Sequence, residues 1–250
     1  MINFTKSKLN RFSYAGWKRY FAQNDAHRLV ISFQNYTLTE KEKKLIFPSI
    51  CQFQQGERSD GKHLKKAADI FAEKIHNEDY KHCIRLFIKE ENVHSGYLKS
   101  YMDHYHVDVK KNVLLDMIFR QLRKLAGIRC EVIVLVTAEI IALSYYDALM
   151  NATNDQTLKS ICRQMLCDEI PHVMFQSYTL SHFKNRFYIK LIRILLMEIT
   201  SAVTWVSCRK MFVSAGWTFK KFMHNNLNYL DQSLELSHIH NRTAAQRQSI

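Results

Sequence analysis

Apolar residues recur along most of this chain at alternating steps of three and four, the spacing that gathers them on one face of an α-helix. Between residues 158 and 180 the stripe reads Leu158, Cys162, Met165, Glu169, His172, Gln176, Leu180. Between 84 and 105 it reads Ile84, Phe87, Glu91, His94, Leu98, Met102, Tyr105. Each stripe carries, near its centre, a Glu and a His three residues apart, side by side on the core-facing surface. Two neighbouring stripes each hold one acid in register: Ile50, Phe53, Glu57, Leu64, Ala68, Phe71, Ile75, and Val132, Val136, Glu139, Leu143, Tyr146, Met150.

These stripes predict four long helices, at about 48–76, 79–106, 128–151 and 154–184. The run from Val132 to Val136 is β-branched enough to suggest a strand, but its helical period continues to Met150, which decides for helix. Thr39 and Glu42 make a capping box for a short helix that reaches Pro48, and Pro48 suits the first turn of the next one. Turn signals lie at Asn77-Glu78-Asp79 and at Asn151 to Asp155. If two antiparallel helices hold their Glu residues at one level, the turn between them falls midway. For Glu139 and Glu169 that midpoint is Asn154, inside the turn; for Glu57 and Glu91 it is Lys74, about one helical turn before the break.

Outside this unit, residues 1–38 are basic and aromatic and predict one short helix and an extended segment. Residues 109–125 predict a connecting helix bearing Arg120, Arg123 and Lys124, continued by Arg129, either a solvated face or a dock for an acidic partner. A long apolar helix at 186–214 contains Lys190, Arg193, Glu198, Arg209 and Lys210, and its longest uncharged run is too short to span a bilayer. After a break at Gly216 a last helix is expected to end near 236, with a disordered polar tail over 237–250.

Spacing alone carries little weight in a chain with 12 His. The weight comes from the stripes, because a carboxylate in an apolar seam is unfavourable unless it is paired or bound to metal. The candidate ligands are therefore Glu57, Glu91, His94, Glu139, Glu169 and His172, with Asp60, one turn from Glu57, as the reserve for the first helix. Carboxylates bridge two metal ions well, and two His with four Glu suit iron or manganese and leave positions where dioxygen binds. Gly56 and Gly61 flank Glu57 and either admit a close helix, a π-bulge or a substrate, or are merely tolerated. Pro171, between Glu169 and His172, is expected to kink the fourth helix beside the site.

This constellation resembles the ferritin-like di-iron carboxylate proteins, in which two helices each give a Glu and two each give a Glu-x-x-His. The phrase Glu90-Glu91-Asn92-Val93-His94 with Leu98 and Tyr101, and Ile161 to His172, look like the matching helices of soluble acyl-carrier desaturases and related oxygenases. The resemblance covers the ligand helices only. It implies an all-α, ferritin-like four-helix bundle over 39–184, with an N-terminal extension and two C-terminal helices over 185–236 that form a substrate pocket or a dimer face. It also implies two iron ions (or Mn/Fe or Mn/Mn), dioxygen as co-substrate, and a small-molecule or carrier-bound substrate. Asp168 would hold His94 and Glu90 would hold His172. Tyr146, Tyr97, Tyr101 and Trp205 are candidates either for lining a pocket or for plain core.

Composition narrows this further. With 250 residues, 47% hydrophobic, 6 Gly and 2 Pro, the chain can bury one full core and favours helices. Its six cysteines form no Cys-x-x-Cys, which excludes a fused rubredoxin-like domain, so the electron donor would be separate, and they read as reduced thiols of a cytoplasmic protein. Met1 to Asn10 has no apolar core for a signal peptide. The net charge of +13 suits an acidic partner, nucleic acid or anionic lipid, or is simply a basic soluble surface. The leading expectation is a di-iron oxidoreductase that hydroxylates, desaturates or N-oxygenates an organic substrate. The alternatives are ferroxidase or iron handling, and a metal-free basic binding module. An enzyme should be a small oligomer, such as a homodimer, with an apolar cavity at the metals; a storage protein should form a large shell.

Overall fold

The computed structural model describes residues 3–58, 61–108, 127–184 and 187–248. Among them there are helices and no strand, the all-α class expected. Two short 3-10 turns, Phe4–Lys6 and Lys8–Arg11, lead into α1 (Tyr14–Asp25). There follow α2 (Glu40–Glu57), α3 (Lys62–Lys74), α4 (Asp79–His104), α5 (Gly127–Ala152), α6 (Gln156–Leu180), α7 (Phe187–Ser214) and α8 (Phe219–Gln248). Asp60 and the stretch carrying Arg120, Arg123 and Lys124 lie outside the described residues.

The expected helix over 48–76 is two helices. Thr39 accepts from the Glu42 amide while Glu42 accepts from the Thr39 amide, and α2 runs from that capping box straight through Pro48 to Glu57. The buried stripe of Ile46, Ile50 and Gln54 spans the proline without a break, which is why the helix does not restart there. It stops at Arg58, and α3 begins after Gly61, whose φ of 62° is left-handed. A Cβ at Gly61 would lie 2.6 Å from Cδ1 of Ile88 on α4, so only glycine lets α3 start this close to α4. Glu57 therefore sits in the last turn of α2 and not within a long helix.

α5 and α6 form the central hairpin. Asp155 caps α6 by accepting from the Thr157 amide at 2.8 Å, and its other oxygen accepts from the hydroxyls of Tyr101 at 2.7 Å and Tyr105 at 3.0 Å on α4. One carboxylate thus ties the α5–α6 turn to α4 and sets the level at which α4 and α6 face each other. α4 packs on α1, α2, α3 and α6, while α7 and α8 pack on α5, with α8 also on α6. α8 continues to Gln248, past the expected end near 236, because residues 237–248 contain no Gly or Pro to stop it.

α5 and α7 are both long and apolar enough to cross a membrane by length and composition, a property the sequence reading denied α7 because Arg193 and Glu198 interrupt its uncharged runs. They are placed differently: 89% of the apolar stretch of α5 is buried in the protein, against 33% for α7. Leu191, Leu195, Ile199, Val206 and Val213 are exposed on α7.

Candidate metal centre

Four helices converge on a cluster of buried acids and imidazoles. α4 contributes Glu91 and His94, and α6 contributes Glu169 and His172. Ligand atoms of these four residues all lie within 4.8 Å of one another, and all four are buried, so the group could hold a metal ion. Nδ1 of His94 is 3.2 Å from Oε1 of Glu169, and Nδ1 of His172 is 2.9 Å from Oε2 of Glu169 and 3.2 Å from Oε1 of Glu91. Glu139 on α5 approaches from the side, 4.0 Å from Nδ1 of His172. Glu57, at the end of α2, is buried and accepts from the Tyr146 hydroxyl at 2.6 Å.

The far sides of both imidazoles are held by crossed acids. Nε2 of His94 lies 3.0 Å from Asp168 on α6, and Nε2 of His172 lies 2.9 Å from Glu90 on α4. Donation of both Nε2–H groups outward leaves the Nδ1 lone pairs aimed into the cluster, the arrangement of a metal-binding histidine. The acids are themselves held: Gln164 donates to both oxygens of Asp168 at 3.0 Å, and Asn24 of α1 donates to Asp168 at 2.9 Å and to Glu90. Neither amide was foreseen. Gln164 had a local signal, four residues before Asp168 on one helix. Asn24 had none, because nothing along α1 says which helices it meets.

A metal ion fits this arrangement on a chemical ground. Oε1 of Glu91, Nδ1 of His94 and Oε1 of Glu169 are buried without a hydrogen-bond partner. Three convergent electron-rich atoms in a dry site call for a cation between them. Without a metal, protons take that role. Burial, then the charges of Glu91 and Glu169, push the carboxyls of Glu57 and Glu139 well above the usual range. Burial works against charge on both imidazoles, yet Glu169 with Asp168 and Glu90 overrides it and raises His94 and His172. Burial likewise opposes ionisation of Glu169, and the two imidazoles overcome it and hold that carboxyl low.

A cavity of about 90 Å³ abuts the cluster, its wall including Glu57, Glu91 and Glu139. The wall also carries Glu131, Gln52 and Thr204, and the rest of it is mostly apolar, with Phe53 from α2, Phe87 and Ile88 from α4, and Leu135 and Ile141 from α5. Gly56 lies on this wall, and a Cβ there would meet nothing within 4 Å. The four aromatic candidates do not line it. Tyr146 is committed to Glu57. The Tyr97 hydroxyl accepts from the Leu29 amide of the N-terminal segment, Tyr101 binds Asp155, and Trp205 stacks on Phe212 within the α7–α8 pair. A helical stripe reports which side chains face inward, not which inward positions leave a void.

Fold and site together define an all-α protein with a buried Glu/His cluster able to hold a metal ion. Set against protein-family models, curated proteins and solved structures, the chain matches none.

Proposed function

We propose that this protein is a ferritin-like, di-iron oxidoreductase that uses dioxygen to oxidise an apolar organic substrate by hydroxylation, desaturation or N-oxygenation. Glu57, Glu91, His94, Glu139, Glu169 and His172 would hold two iron ions, or a Mn/Fe or Mn/Mn pair. The observation that carries this reading is the apolar cavity walled by three of the candidate ligands. The apolar part of that wall, from Phe53, Phe87, Ile88, Leu135 and Ile141, is what a small organic molecule would pack against, whereas iron handling alone has no need of it. Bound metal would supply the redox chemistry and the dioxygen-binding positions.

The residues of this chain do the rest. Asp168 and Glu90 orient the imidazoles, Phe87, Ile88 and Leu135 keep water away, and Gly56 leaves room at the wall. Electrons come from a separate donor, and the net charge of +13 suits an acidic one. All six cysteines are thiols outside any disulfide, which supports a reducing, cytoplasmic setting, and the protein would act as a small oligomer such as a homodimer.

The test begins with metal content per chain after anaerobic reconstitution with ferrous iron, for the wild type and for Glu139→Ala. About two ions per chain, falling sharply in the variant, is the expected result. Absence of metal from both proteins removes the proposal. A Gly56→Leu variant then separates the two iron chemistries: it should keep iron binding and ferrous oxidation while excluding substrate. A large shell-like assembly with unimpaired iron turnover would favour iron storage instead.

A further inference from the structure

Away from the acid cluster, at the end of the molecule where α5 begins and α6 ends, a buried cation has no counter-charge among the described residues. Arg193 of α7 is 2% exposed, yet among the described residues its one side-chain hydrogen bond is from Nη2 to the Ser233 hydroxyl of α8 at 2.7 Å. Its Nε is buried without a partner, and among the described residues no carboxylate lies within ion-pair distance. A second guanidinium, Arg129 of α5, acts on it electrostatically; burial and that neighbour lower the Arg193 pKa to about 10. Guanidinium groups are buried this completely when something negative accompanies them.

The geometry leaves room for it. Arg193 and Arg129 line a small cavity together with Leu180, Ile189, Leu234 and Ser237. Its volume is about 20 Å³, enough for one water-sized species. Arg129 is positioned there by Nη2 donating to the Lys184 carbonyl at 2.9 Å and by its place over the Phe183 ring. Arg193 and Ile189 belong to the first two turns of α7, whose N-terminal dipole favours negative charge. Ser233 is held by Ser177 at 2.6 Å, and Ser237 donates to the Ser177 and Ser233 carbonyls, so the polar floor is built before any ligand arrives.

We propose that this cavity binds one monatomic, chloride-sized monovalent anion between Arg193 and Arg129. Walls drawn from α5, α6, α7 and α8 make the anion a bolt for the C-terminal helices. Arg129 lies ten residues before Glu139 on α5, so this bolt stands roughly 15 Å along the helix from the acid cluster. It is independent of what the acid cluster binds.

The test is thermal unfolding of the full, metal-free chain at constant ionic strength, with gluconate replaced stepwise by chloride, acetate or sulfate. Wild type should show a saturable rise in Tm of roughly 3–5 °C at tenfold excess over Kd with chloride and none with the bulkier acetate or sulfate. A response confined to chloride identifies the single-ion site; an equal response to acetate or sulfate contradicts it. Arg193→Met should lose the response and match or exceed wild type without chloride, because the uncompensated charge is gone. Ser237→Val, which keeps both guanidiniums and fills the cavity, should also lose it and carries the test if Arg193→Met does not fold. A wild type indifferent to anion identity, or a variant that keeps the response, overturns the proposal.

Discussion

Glu90-Glu91-x-x-His94 on α4 and Asp168-Glu169-x-x-His172 on α6 present the same groups in the same order, yet the two halves are loaded differently. Glu169 is wholly buried between both imidazoles, and they hold it ionised. Glu91 contacts His172 but also forms part of the cavity wall. The supporting acids differ in the same sense: Asp168 is held by Gln164 and Asn24, Glu90 by Asn24 and not by Gln164. The α6 half is closed and fixed by protein, and the α4 half faces the space where a ligand would sit. Under the proposed function, such a division would let the site keep its ions and still admit a reactant.

The sharpest way to break this comparison is Glu169→Ala. It removes the counter-charge of two buried imidazoles, so the metal-free protein should lose about 3–5 kcal/mol in chemical denaturation and metal binding should vanish. The matching Glu91→Ala should be milder in stability while still impairing metal content; equal losses would show the halves to be equivalent. Next in size are the supporting acids. Asp168→Asn and Glu90→Gln should each weaken metal affinity about 10–100-fold by calorimetric titration, with Asn24→Ala touching both acids at once. If Asn24→Ala leaves affinity unchanged, the amide bridge between the halves is passive.

The pH profile of the metal-free protein sharpens the contrast without mutation. Glu57, Glu139, His94 and His172 all have folded pKa values above their unfolded ones, so their stabilisation is present at low pH and is lost as pH rises through the folded values. Glu169 and Asp168 are lowered and act oppositely, only at acidic pH. Tm of the metal-free protein should therefore fall as pH rises above the unfolded values, about 4.5 for the two carboxyls and 6.5 for the two imidazoles. Metal loading, which replaces those protons, should flatten the fall; a level profile without metal would contradict the assignment. The smallest effect belongs to Tyr146→Phe. Loss of its hydrogen bond to Glu57 should lower stability by about 1 kcal/mol with metal content retained, measured by denaturation and elemental analysis.

Much of the site was legible along the chain because a helix writes its buried face into the sequence every three to four residues. Glu91, His94, Glu139, Glu169 and His172 all fall on such stripes, and all are buried together. Glu57 was found by the same reading although its helix was drawn wrongly. A stripe continues across two successive helices if both face one core, so the pattern passed over the break at Gly61. That break depends on Ile88, twenty-seven residues away, filling the space where a side chain would be.

Local spacing determined the helical class, the inward acids and the Glu-x-x-His pairs, since these follow from backbone geometry within one turn. Tertiary structure alone decided the rest. Asn24 reaches Glu90 and Asp168 only because α1 packs across α4, and Tyr101 ties Asp155 instead of lining a pocket. The cavity lies where Gly56, Phe87 and Leu135 leave space between three helices, and Arg193 is buried against Ser233 with no acid beside it among the described residues. Each of these is set by the meeting of side chains distant in sequence, and periodicity carries no information about which distant residues meet.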